Sequence, residues 1–336
     1  MDLSNKTILV TGGTGSFGNY ITNRLLKKNV KEIRILSRDE KKQYDMKINY
    51  NHDPRLRFFI GDIRDRERVN NVMDGVDIVY QAAALKHVPV CEFSPFEAVK
   101  TNIVGVENII QAALFYKVQK VICVSTDKAV KPVNVMGMTK AIQERLMLSA
   151  NLASNNSGTI FCVVRYGNVL LSRGSVIPFF RRLLAQNQPI TITHEGMTRF
   201  LLTLDDAIDL VMFATEHSKG GETFVKKAPA ALIPQIGRIL SEDFGKKFEF
   251  KNIGKYPGEK LHEILITEEE LDRAEDMGGY FTVHPWWDKK IFTDLKEEYS
   301  SGMEVLKEDA DIRALIATAD ESAKYVHIED GEFSKI

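Results

Sequence analysis

The residue types best suited to moving protons lie together in one stretch of the chain, residues 125–140. Asp127 and Lys128 place a carboxyl group beside an amine, which are the residue types of a general acid and a general base. They follow an apolar run, 120–124, that predicts a buried strand, and ionisable groups just beyond the carboxyl end of a strand are typical of a catalytic site. Each charge favours the ionised form of its neighbour, so both roles require burial to shift the two pKa values. The alternative is an ion pair in a loop with no chemical role.

A glycine-rich loop near the start of the chain predicts a dinucleotide site. Residues 6–11 read as a strand, residues 19–27 have helical periodicity, and the glycines between them have the spacing G-x-x-G-x-x-G. Strand, glycine loop and helix in this order can hold a pyrophosphate through backbone N–H groups. A glycine turn that binds nothing is the alternative. The expected contacts are Gly12, Thr14, Gly15, Ser16, Phe17 and Gly18.

The end of the second predicted strand, 32–36, indicates which dinucleotide is bound. NAD-selective sites usually place an acidic residue there, bonded to the ribose 2′-hydroxyl. This chain has Ser37 and Arg38, and a hydroxyl and a guanidinium suit a 2′-phosphate. NADP is therefore favoured over NAD. Asp39 and the lysines after it are also consistent with solvated charges at the start of a helix.

Further cofactor contacts are expected where the next strands end. Asp62 and Ile63 follow the strand predicted over 57–60 and suit an adenine contact. The strand over 77–80 ends in small residues, which would let the backbone lie close to a cofactor. Lys86 and His87 come soon after, either as neighbours of the reacting atoms or as ordinary polar loop residues. The small residues are Ala82, Ala83 and Ala84, and the other expected cofactor contacts are Lys86, Lys140, Tyr166 and Asn168.

Strand and helix patterns alternate through the first half of the chain, which predicts an α/β fold: a Rossmann-type doubly wound parallel sheet with helices on both faces. Helices are expected over 97–116 and 141–148, and a sixth strand over 159–165. Residues 173–178, 189–193 and 197–202 then look like short strands and loops, and 205–216 like a helix that returns to the sheet. The predicted division is a cofactor domain over 1–170 with 203–218, a smaller C-terminal substrate-binding lobe over 171–202 and 219–283, and a tail over 284–336 with a helix at 309–319.

Composition limits the class of protein. The chain has 336 residues, 44% of them hydrophobic and 27% charged, which is typical of a globular protein with one large domain and a smaller companion. A net charge of −1 creates no field that would favour nucleic acid or an anionic membrane. Cys91, Cys123 and Cys162 lie in apolar contexts that predict buried thiols, and their spacing from the histidines predicts no metal site. No apolar run approaches the roughly 18 residues of a membrane span and no cleavable signal is visible, so a soluble cytoplasmic protein is expected.

The motifs resemble the extended short-chain dehydrogenase/reductase superfamily, and within it the UDP-N-acetylglucosamine 4,6-dehydratases of polysaccharide biosynthesis, several of which also invert C5. The resemblance covers about residues 5–280 and is specific, because many separate motifs fall in the same order. These motifs are Ala-Ala-Ala-Leu-Lys-His-Val-Pro (82–89), Ser-Thr-Asp-Lys-Ala-Val (125–130), Arg-Tyr-Gly-Asn-Val (165–169), Arg-Gly-Ser-Val-Ile-Pro (173–178), Met-Thr-Arg-Phe (197–200) and Gly-Glu-Lys-Leu-His-Glu (258–263).

The resemblance implies a 4,6-dehydration of UDP-N-acetylglucosamine. Hydride leaves C4 of the sugar, the resulting 4-ketone acidifies the C5 proton, water is lost across C5 and C6, and hydride returns to C6. In this family the Asp127 carboxyl would protonate the departing O6 and the Lys128 amine would remove the C5 proton. Thr126 would donate a hydrogen bond to O4, unless it is only a cap at a strand end. Lys140 would hold the nicotinamide ribose.

Met136 departs from the pattern of the superfamily. Oxidation at C4 normally uses a tyrosinate four residues before the lysine, on the same face of one helix, and a thioether cannot take up a proton at neutral pH. Three explanations are open: Lys140 or Lys128 takes the O4 proton through water or sugar hydroxyls, Tyr166 or Lys86 substitutes, or the enzyme acts on a sugar already activated by a partner enzyme. Some members of the inverting branch resemble this chain in having Met there.

The resemblance also assigns residues to the UDP-sugar. Arg199 suits the diphosphate and Glu259 the uridine ribose, with a surface charge as the alternative for each. Asn168 is either a nucleotide contact or a turn-forming amide. The full substrate-binding set is Lys86, His87, Asn168, Ser175, Val176, Arg199 and Glu259. The family further implies a homo-oligomer, a dimer or a hexamer, and a product used for capsule, O-antigen or pseudaminic acid.

Two other functions remain compatible with the sequence. One is a sibling enzyme of the same pathway, a 5-epimerase or a processor of a 4-keto or 5,6-unsaturated UDP-sugar, and Met136 motivates it. The other is a non-enzymatic NADP-binding regulator that has lost its tyrosine. Retention of Asp127, Lys128 and Lys140 argues against the regulator.

Overall fold

The computed structural model describes residues 1–154, 157–172 and 175–324. The strands are β1 (Thr7–Thr11), β2 (Glu32–Ser37), β3 (Leu56–Ile60), β4 (Ile78–Gln81), β5 (Lys120–Val124), β6 (Ile160–Arg165), β7 (Asn168–Val169), β8 (Ile190–Ile192), β9 (Thr198–Leu202), β10 (Thr223–Lys226), β11 (Ala230–Leu232), β12 (Phe250–Asn252), β13 (Ile264–Ile266), β14 (Ala274–Asp276), β15 (Tyr280–Val283) and β16 (Tyr299–Ser300). The α-helices are α1 (Ser16–Leu26), α2 (Glu40–Asn49), α3 (Arg66–Met73), α4 (Val88–Phe93), α5 (Pro95–Val99), α6 (Gly105–Phe115), α7 (Val135–Ala153), α8 (Val176–Ala185), α9 (Leu204–His217), α10 (Ile233–Asp243) and α11 (Asp309–Lys324).

Nine of the described strands form one sheet, in the order β14-β15-β10-β6-β5-β4-β1-β2-β3. Every pairing from β3 across to β10 is parallel, and β15 and β14 add an antiparallel edge. The central strands are short apolar runs buried on both faces, as parallel strands covered by helices must be. The order reverses between β1 and β4, which is the arrangement of a dinucleotide-binding sheet. The predicted Rossmann-type doubly wound α/β fold is confirmed.

Helices cover both faces of this sheet. The core on one face includes Tyr20 and Leu25 of α1 with Ile208 and Val211 of α9, so the helix predicted over 205–216 does return to the sheet. The core on the other face joins α3, α6 and α7. Side chains at the amino ends fix where several helices begin: Asp39 accepts from the Lys42 amide, Asp65 from the Arg68 amide and Asn134 from the Gly137 amide.

The smaller lobe has its own apolar core. Helices α8, α10 and α11 pack together there with β8 and part of β9. The helix predicted over 309–319 is present as α11, and Ile312, Ile316 and Ala319 bury its inner face. Strands β10, β14 and β15 come from the segment assigned to this lobe but extend the main sheet. The division into domains therefore stays a prediction.

Three expectations about local structure need correction. Residues 173 and 174 lie outside the described residues, but from Val176 the chain is helix α8 rather than a short strand or loop, because its apolar residues recur at helical spacing. The predicted helix over 97–116 starts earlier, at Pro95, and contains a π-helical turn, Lys100–Val104. Helix α7 begins at Val135, where Asn134 caps it, and so includes Met136 and Lys140.

Two expectations concern membranes and thiols. In the part of the chain that the structure describes, no helix combines the length and the apolar character needed to cross a bilayer. Cys91, Cys123 and Cys162 are all free and buried, as predicted.

Candidate active site

The carboxyl ends of β1 and β4 meet in close backbone contact. Gly12 has a φ of +64°, and a Cβ added there would lie 3.0 Å from the backbone nitrogen and Cα of Ala83. The Ala82 and Ala83 amides both donate to the Thr11 hydroxyl at 3.1 Å. Only a residue without a side chain fits between these two strands, so Gly12 and the alanines hold the chain at the point where the strand order reverses.

The glycine loop presents the beginning of α1 without a side-chain cap. Gly15 is the residue before the helix, and no side chain accepts from the first amides. Gly18 packs so closely on the preceding loop that a Cβ would lie 2.2 Å from the Gly13 carbonyl oxygen. Thr14 and Ser37 join the loop to the end of β2 by a 2.7 Å hydrogen bond between their hydroxyls. Uncapped amides at a helix start fit a pyrophosphate.

Arg38 and Asp62 lie together beyond β2 and β3. The Arg38 side chain is 58% exposed, and its guanidinium is 3.6 Å from the Asp62 carboxylate. Burial tends to raise the pKa of Asp62, but hydrogen bonds from Arg64 outweigh it and hold the carboxyl below its ordinary pKa. The Ile63 side chain packs against Gly105 inside the core, and Phe17 is half-buried against the opposite core.

The predicted acid and base lie on a 3₁₀ turn, Asp127–Ala129, directly after β5. Asp127 is fully buried. Its Oδ1 accepts from the Thr126 hydroxyl at 2.9 Å and from the Lys128 ammonium at 3.0 Å. Burial raises the pKa of the Asp127 carboxyl even though the Lys128 charge opposes it. This is the shift that a general acid requires.

Lys128 is held by two carboxyl groups. Its Nζ lies 3.0 Å from Asp127 and 3.4 Å from Glu263. Burial tends to lower the pKa of Lys128, but these carboxyl groups outweigh burial and raise it. The resting amine is therefore protonated, and it must lose that proton before it can act as a base.

Four of the predicted or neighbouring residues have buried oxygens without a hydrogen-bond partner among the described residues: Asp127 Oδ2, Glu263 Oε2, Asn168 Oδ1 and Ser175 Oγ. Asp127 Oδ2 faces Gly167, where a Cβ would lie 3.3 Å from it. Unsatisfied buried oxygens are costly and rare in a folded protein. Asp127 and Glu263 both pair with Lys128, so their two unsatisfied oxygens indicate a place where a polar ligand would supply the missing hydrogen bonds.

Met136 and Lys140 share α7 but have different surroundings. The Met136 side chain is buried in a small apolar cluster with Cys91 and Ala98. The Lys140 ammonium donates to the Val124 carbonyl oxygen at 2.7 Å, and burial lowers its pKa. Lys140 is thus fixed at the end of β5, beside the acid–base turn, while Met136 offers no group that titrates.

The other candidates for the O4 proton differ in exposure. Tyr166 is half-buried between two apolar cores, and burial raises its pKa, which disfavours a tyrosinate. Lys86 and His87 are exposed in the segment between β4 and α4.

The residues predicted to bind UDP lie on different elements. Arg199, on β9, is buried, donates to the carbonyls of Thr198 and Lys260 at 2.7 and 3.1 Å, and lies 3.7 Å from Glu263. The Glu259 carboxylate is half-buried and accepts from the Tyr256 amide at 3.1 Å. Val176 is the first residue of α8, and Ser175 precedes it.

A family model described as "Polysaccharide biosynthesis protein" matches residues 8–285. The chain belongs to this family. Members named UDP-glucose 4-epimerase from Rickettsia felis and Rickettsia prowazekii are each 50% identical over 282 residues, which is 83% of this chain and 82% of theirs.

Solved structures of other proteins have a similar fold. The X-ray structure of Pen from Bacillus thuringiensis is 36% identical, covers 95% of this chain and 99% of its own, and superposes with a TM-score of 0.90. DesIV, a dTDP-glucose 4,6-dehydratase from Streptomyces venezuelae solved with NAD and TYD, is 21% identical, with a TM-score of 0.68 over 76% of this chain and 86% of its own. At that identity DesIV supports the fold alone.

Three residues around the candidate site were not predicted from the sequence. Glu263 and Lys260 lie in the motif 258–263, where only Glu259 was singled out, yet Glu263 is the buried carboxylate at the acid–base turn. The Lys260 ammonium donates to the Asp127 carbonyl oxygen at 3.4 Å. Asn102, in the π-helical turn, clamps the Leu85 backbone from both sides and donates to Thr139. The apolar neighbours of Glu263 were the available signal, since a charge inside such a run is often buried.

Metal ions have no evident place in this site. Over residues 1–154, 157–172 and 175–324, no group of three or more His, Cys, Asp or Glu side chains is arranged to hold one.

Proposed function

We propose that this protein is a nucleotide-sugar 4,6-dehydratase that acts on UDP-N-acetylglucosamine, with inversion at C5, in the synthesis of a surface glycan. The ion pair between the fully buried Asp127 and the partly buried Lys128 carries the proposal. An elimination of water needs an acid and a base within reach of adjacent carbons. Burial has raised the pKa of the acid in the direction that this role requires.

The residues have separate tasks in the proposed reaction. Thr126 orients the Asp127 carboxyl by donating to Oδ1, which leaves Oδ2 to deliver a proton to the departing O6. The neutral Lys128 amine takes the C5 proton. Lys140 is anchored on the Val124 carbonyl, close to where the nicotinamide ribose would bind. The bound nicotinamide would supply the hydride chemistry at C4 and C6.

The cofactor proposed is NADP, with NAD as the alternative. Gly12, Gly15 and Gly18 shape a loop that fits a dinucleotide pyrophosphate. The exposed Arg38 guanidinium supports a 2′-phosphate. The nearby Asp62 carboxylate weakens that support, and several structures of similar fold were solved with NAD.

A 4-epimerase is the second candidate, because relatives 50% identical to this chain have the name UDP-glucose 4-epimerase. A 4-epimerase moves hydride from and to C4 and requires no acid–base pair at C5 and C6. Met136 favours a third, narrower variant, a sibling enzyme that receives a sugar already oxidised at C4. The 4-epimerase would differ from the dehydratase in its product, and the sibling enzyme would differ from it in its substrate.

One experiment separates these functions. Purified protein is incubated with UDP-N-acetylglucosamine, with UDP-glucose, and with a UDP-4-keto-6-deoxy sugar, and products are identified by mass spectrometry and NMR. Loss of one water from UDP-N-acetylglucosamine supports the dehydratase. Conversion of UDP-glucose to its C4 epimer without loss of water would replace it with the epimerase, and turnover of the keto sugar alone would replace it with the sibling enzyme.

A homo-oligomer is also proposed, as is a cytoplasmic location. Helix α6, the π-helical turn before it and helix α7 expose large apolar side chains. Their exposed fractions are Val104 47%, Phe115 76%, Met138 48%, Ile142 47% and Leu152 49%. Large apolar side chains exposed on neighbouring helices are typical of a protein–protein interface.

A further inference from the structure

Glu263 has a buried carboxylate, and its backbone is held by hydrogen bonds. One of its two carboxylate oxygens has no hydrogen-bond partner in the part of the chain that the structure describes. Glu263 is 2% exposed and precedes β13. Its amide donates to the Ser301 hydroxyl at 2.9 Å, and its carbonyl accepts from the Ser301 amide at 2.8 Å. Its Oε2 makes no hydrogen bond among the described residues. A carboxylate buried in this way is tolerated only beside positive charge.

Three cations surround that carboxylate from three different segments. Lys128 Nζ lies 3.4 Å from Oε1, Arg199 Nε 3.7 Å from Oε1, and Lys260 Nζ 3.7 Å from Oε2. Burial tends to raise the pKa of Glu263, but these cations outweigh burial and lower it. Glu263 is therefore the ionised carboxylate of the cluster, while Asp127 is the one whose pKa is raised.

Among the residues that the structure describes, four charged side chains face Lys128, from its own turn and from the elements packed on it. Asp127 is on the same turn, Glu263 precedes β13, Arg199 is on β9 and Lys260 is in the loop before β13. Farther along the chain, Lys131 pairs with the exposed carboxylate of Glu268 and the half-buried carboxylate of Glu298. When Asp127 is protonated, Glu263 is the anion that favours the protonated form of Lys128. Burial and the two neighbouring cations, Arg199 and Lys260, favour the neutral amine.

We propose that Glu263 is a positioning residue that holds the Lys128 amine in place and keeps it protonated in the resting site. This inference rests on the proposed dehydratase function, because it assigns Lys128 as the base at C5. Arg199 faces the same carboxylate, and its positive charge acts against Glu263 by lowering the pKa of Lys128.

The test is the pH dependence of C5 proton exchange in Glu263→Gln, which keeps the shape of the side chain and removes its charge. Removing an anion lowers the pKa of Lys128, so the limb of the profile that reports the neutral amine moves to lower pH. We expect a shift of at least about one pH unit, which is about a tenfold change in the neutral fraction. Glu268→Gln, a surface carboxylate 74% exposed, is the matched control and leaves the limb in place.

A second readout needs neither substrate nor turnover. Lysine ¹³Cε NMR of the resting protein, with the Lys128 signal assigned by its loss in Lys128→Met, follows the titration of that amine directly. Lys128 in the wild type titrates above the ordinary lysine value of about 10.4, and lower in Glu263→Gln. Should Glu263→Gln not fold, the wild-type titration alone decides: a Lys128 that titrates below about 10 overturns the inference.

The two readouts separate the inference from the function on which it rests. C5 exchange in the wild type with an unmoved limb in Glu263→Gln overturns the role of Glu263 and leaves the dehydratase standing. A Lys128 titration that responds to Glu263→Gln, with no C5 exchange by any variant, supports the charge coupling and overturns the dehydratase. Glu263→Asp keeps the charge and is expected to keep both readouts near the wild type.

Discussion

At the scale of single residues, the pKa values of the proposed acid and the proposed base are raised for different reasons. Asp127 has a raised pKa because it is fully buried, and its neighbour Lys128 has a raised pKa because two carboxyl groups outweigh the same burial. In the resting site, the proposed acid Asp127 therefore has a raised pKa and the proposed base Lys128 is still protonated. Met136 contributes no titrating group to this arrangement, since its side chain lies in an apolar cluster.

The raised pKa of Asp127 makes a prediction about stability. Between the unfolded value of about 3.9 and the raised folded value, the folded state binds more protons than the unfolded state, so stability falls as pH rises through that window. Asp127→Asn removes this dependence. The melting temperature of Asp127→Asn minus that of the wild type is expected to become more positive from pH 4 upward. A difference that is constant or that decreases with pH would show that Asp127 is not held protonated.

Arg38 makes a prediction about cofactor choice. If its guanidinium binds a 2′-phosphate, Arg38→Met weakens NADP⁺ binding by roughly tenfold or more, in line with loss of a charge-assisted contact, and leaves NAD⁺ binding nearly unchanged. Isothermal titration calorimetry with both nucleotides measures this. Arg57→Met is the matched control, because the Arg57 side chain has the same exposed fraction, 58%. Arg57 lies near the amino end of β3, whereas Arg38 follows the carboxyl end of β2. Equal losses for NADP⁺ and NAD⁺ would remove Arg38 from the specificity site.

At the scale of elements, one buried arginine joins the main sheet to the segment that follows Glu263. Arg165, at the end of β6, pairs with Glu144 of α7 at 2.7 Å and with Glu270 at 2.8 Å. Glu144 also accepts from Ser125, two residues before Asp127. The network therefore fixes the end of β5, helix α7 and the 3₁₀ turn Glu268–Arg273 relative to one another.

Breaking that network should be costly. Arg165→Met leaves Glu144 and Glu270 buried without their common cation, and removal of one partner of a buried ion pair typically costs about 3–5 kcal/mol. The free energy of unfolding in urea measures the loss. Glu268→Gln removes an exposed charge from the same 3₁₀ turn and should cost about 1 kcal/mol or less. A comparably small cost for Arg165→Met would contradict a structural role for the network.

Sequence predicted the elements that are determined locally and missed contacts that depend on the fold. The strands of the parallel sheet, the glycine loop and the acid–base turn all follow from runs of a few residues, and the sheet order brings them to one edge. Glu263 was not predicted beside Glu259: its apolar neighbours indicate burial, but nothing local indicates that its carboxylate folds back onto Lys128. The segment 173–178 was predicted to be a short strand or loop, but its last three residues are the start of helix α8. The π-helical turn that aims Asn102 at Leu85 likewise depends on packing against α7.

At the scale of the whole molecule, the described residues leave large apolar side chains exposed on α6, on the π-helical turn before it and on α7. We expect the protein to sediment as a dimer or larger at micromolar concentration. Ile142→Glu places a charge among these side chains and should shift the protein toward monomer. Tyr44→Glu, at an exposed position on α2, is the control and should not change the sedimentation coefficient. A monomeric wild type in sedimentation velocity would contradict the proposed homo-oligomer.

The central claim is that Asp127 and Lys128 eliminate water across C5 and C6 of a UDP-sugar. Deuterium incorporation at C5 during turnover of UDP-N-acetylglucosamine in D₂O tests it most directly, with NMR as the readout. We predict a 4-keto-6-deoxy product that carries deuterium at C5 and has inverted configuration there, and no C5 exchange in Lys128→Ala. A product with the original hydrogen at C5, or exchange that survives in Lys128→Ala, would contradict the account.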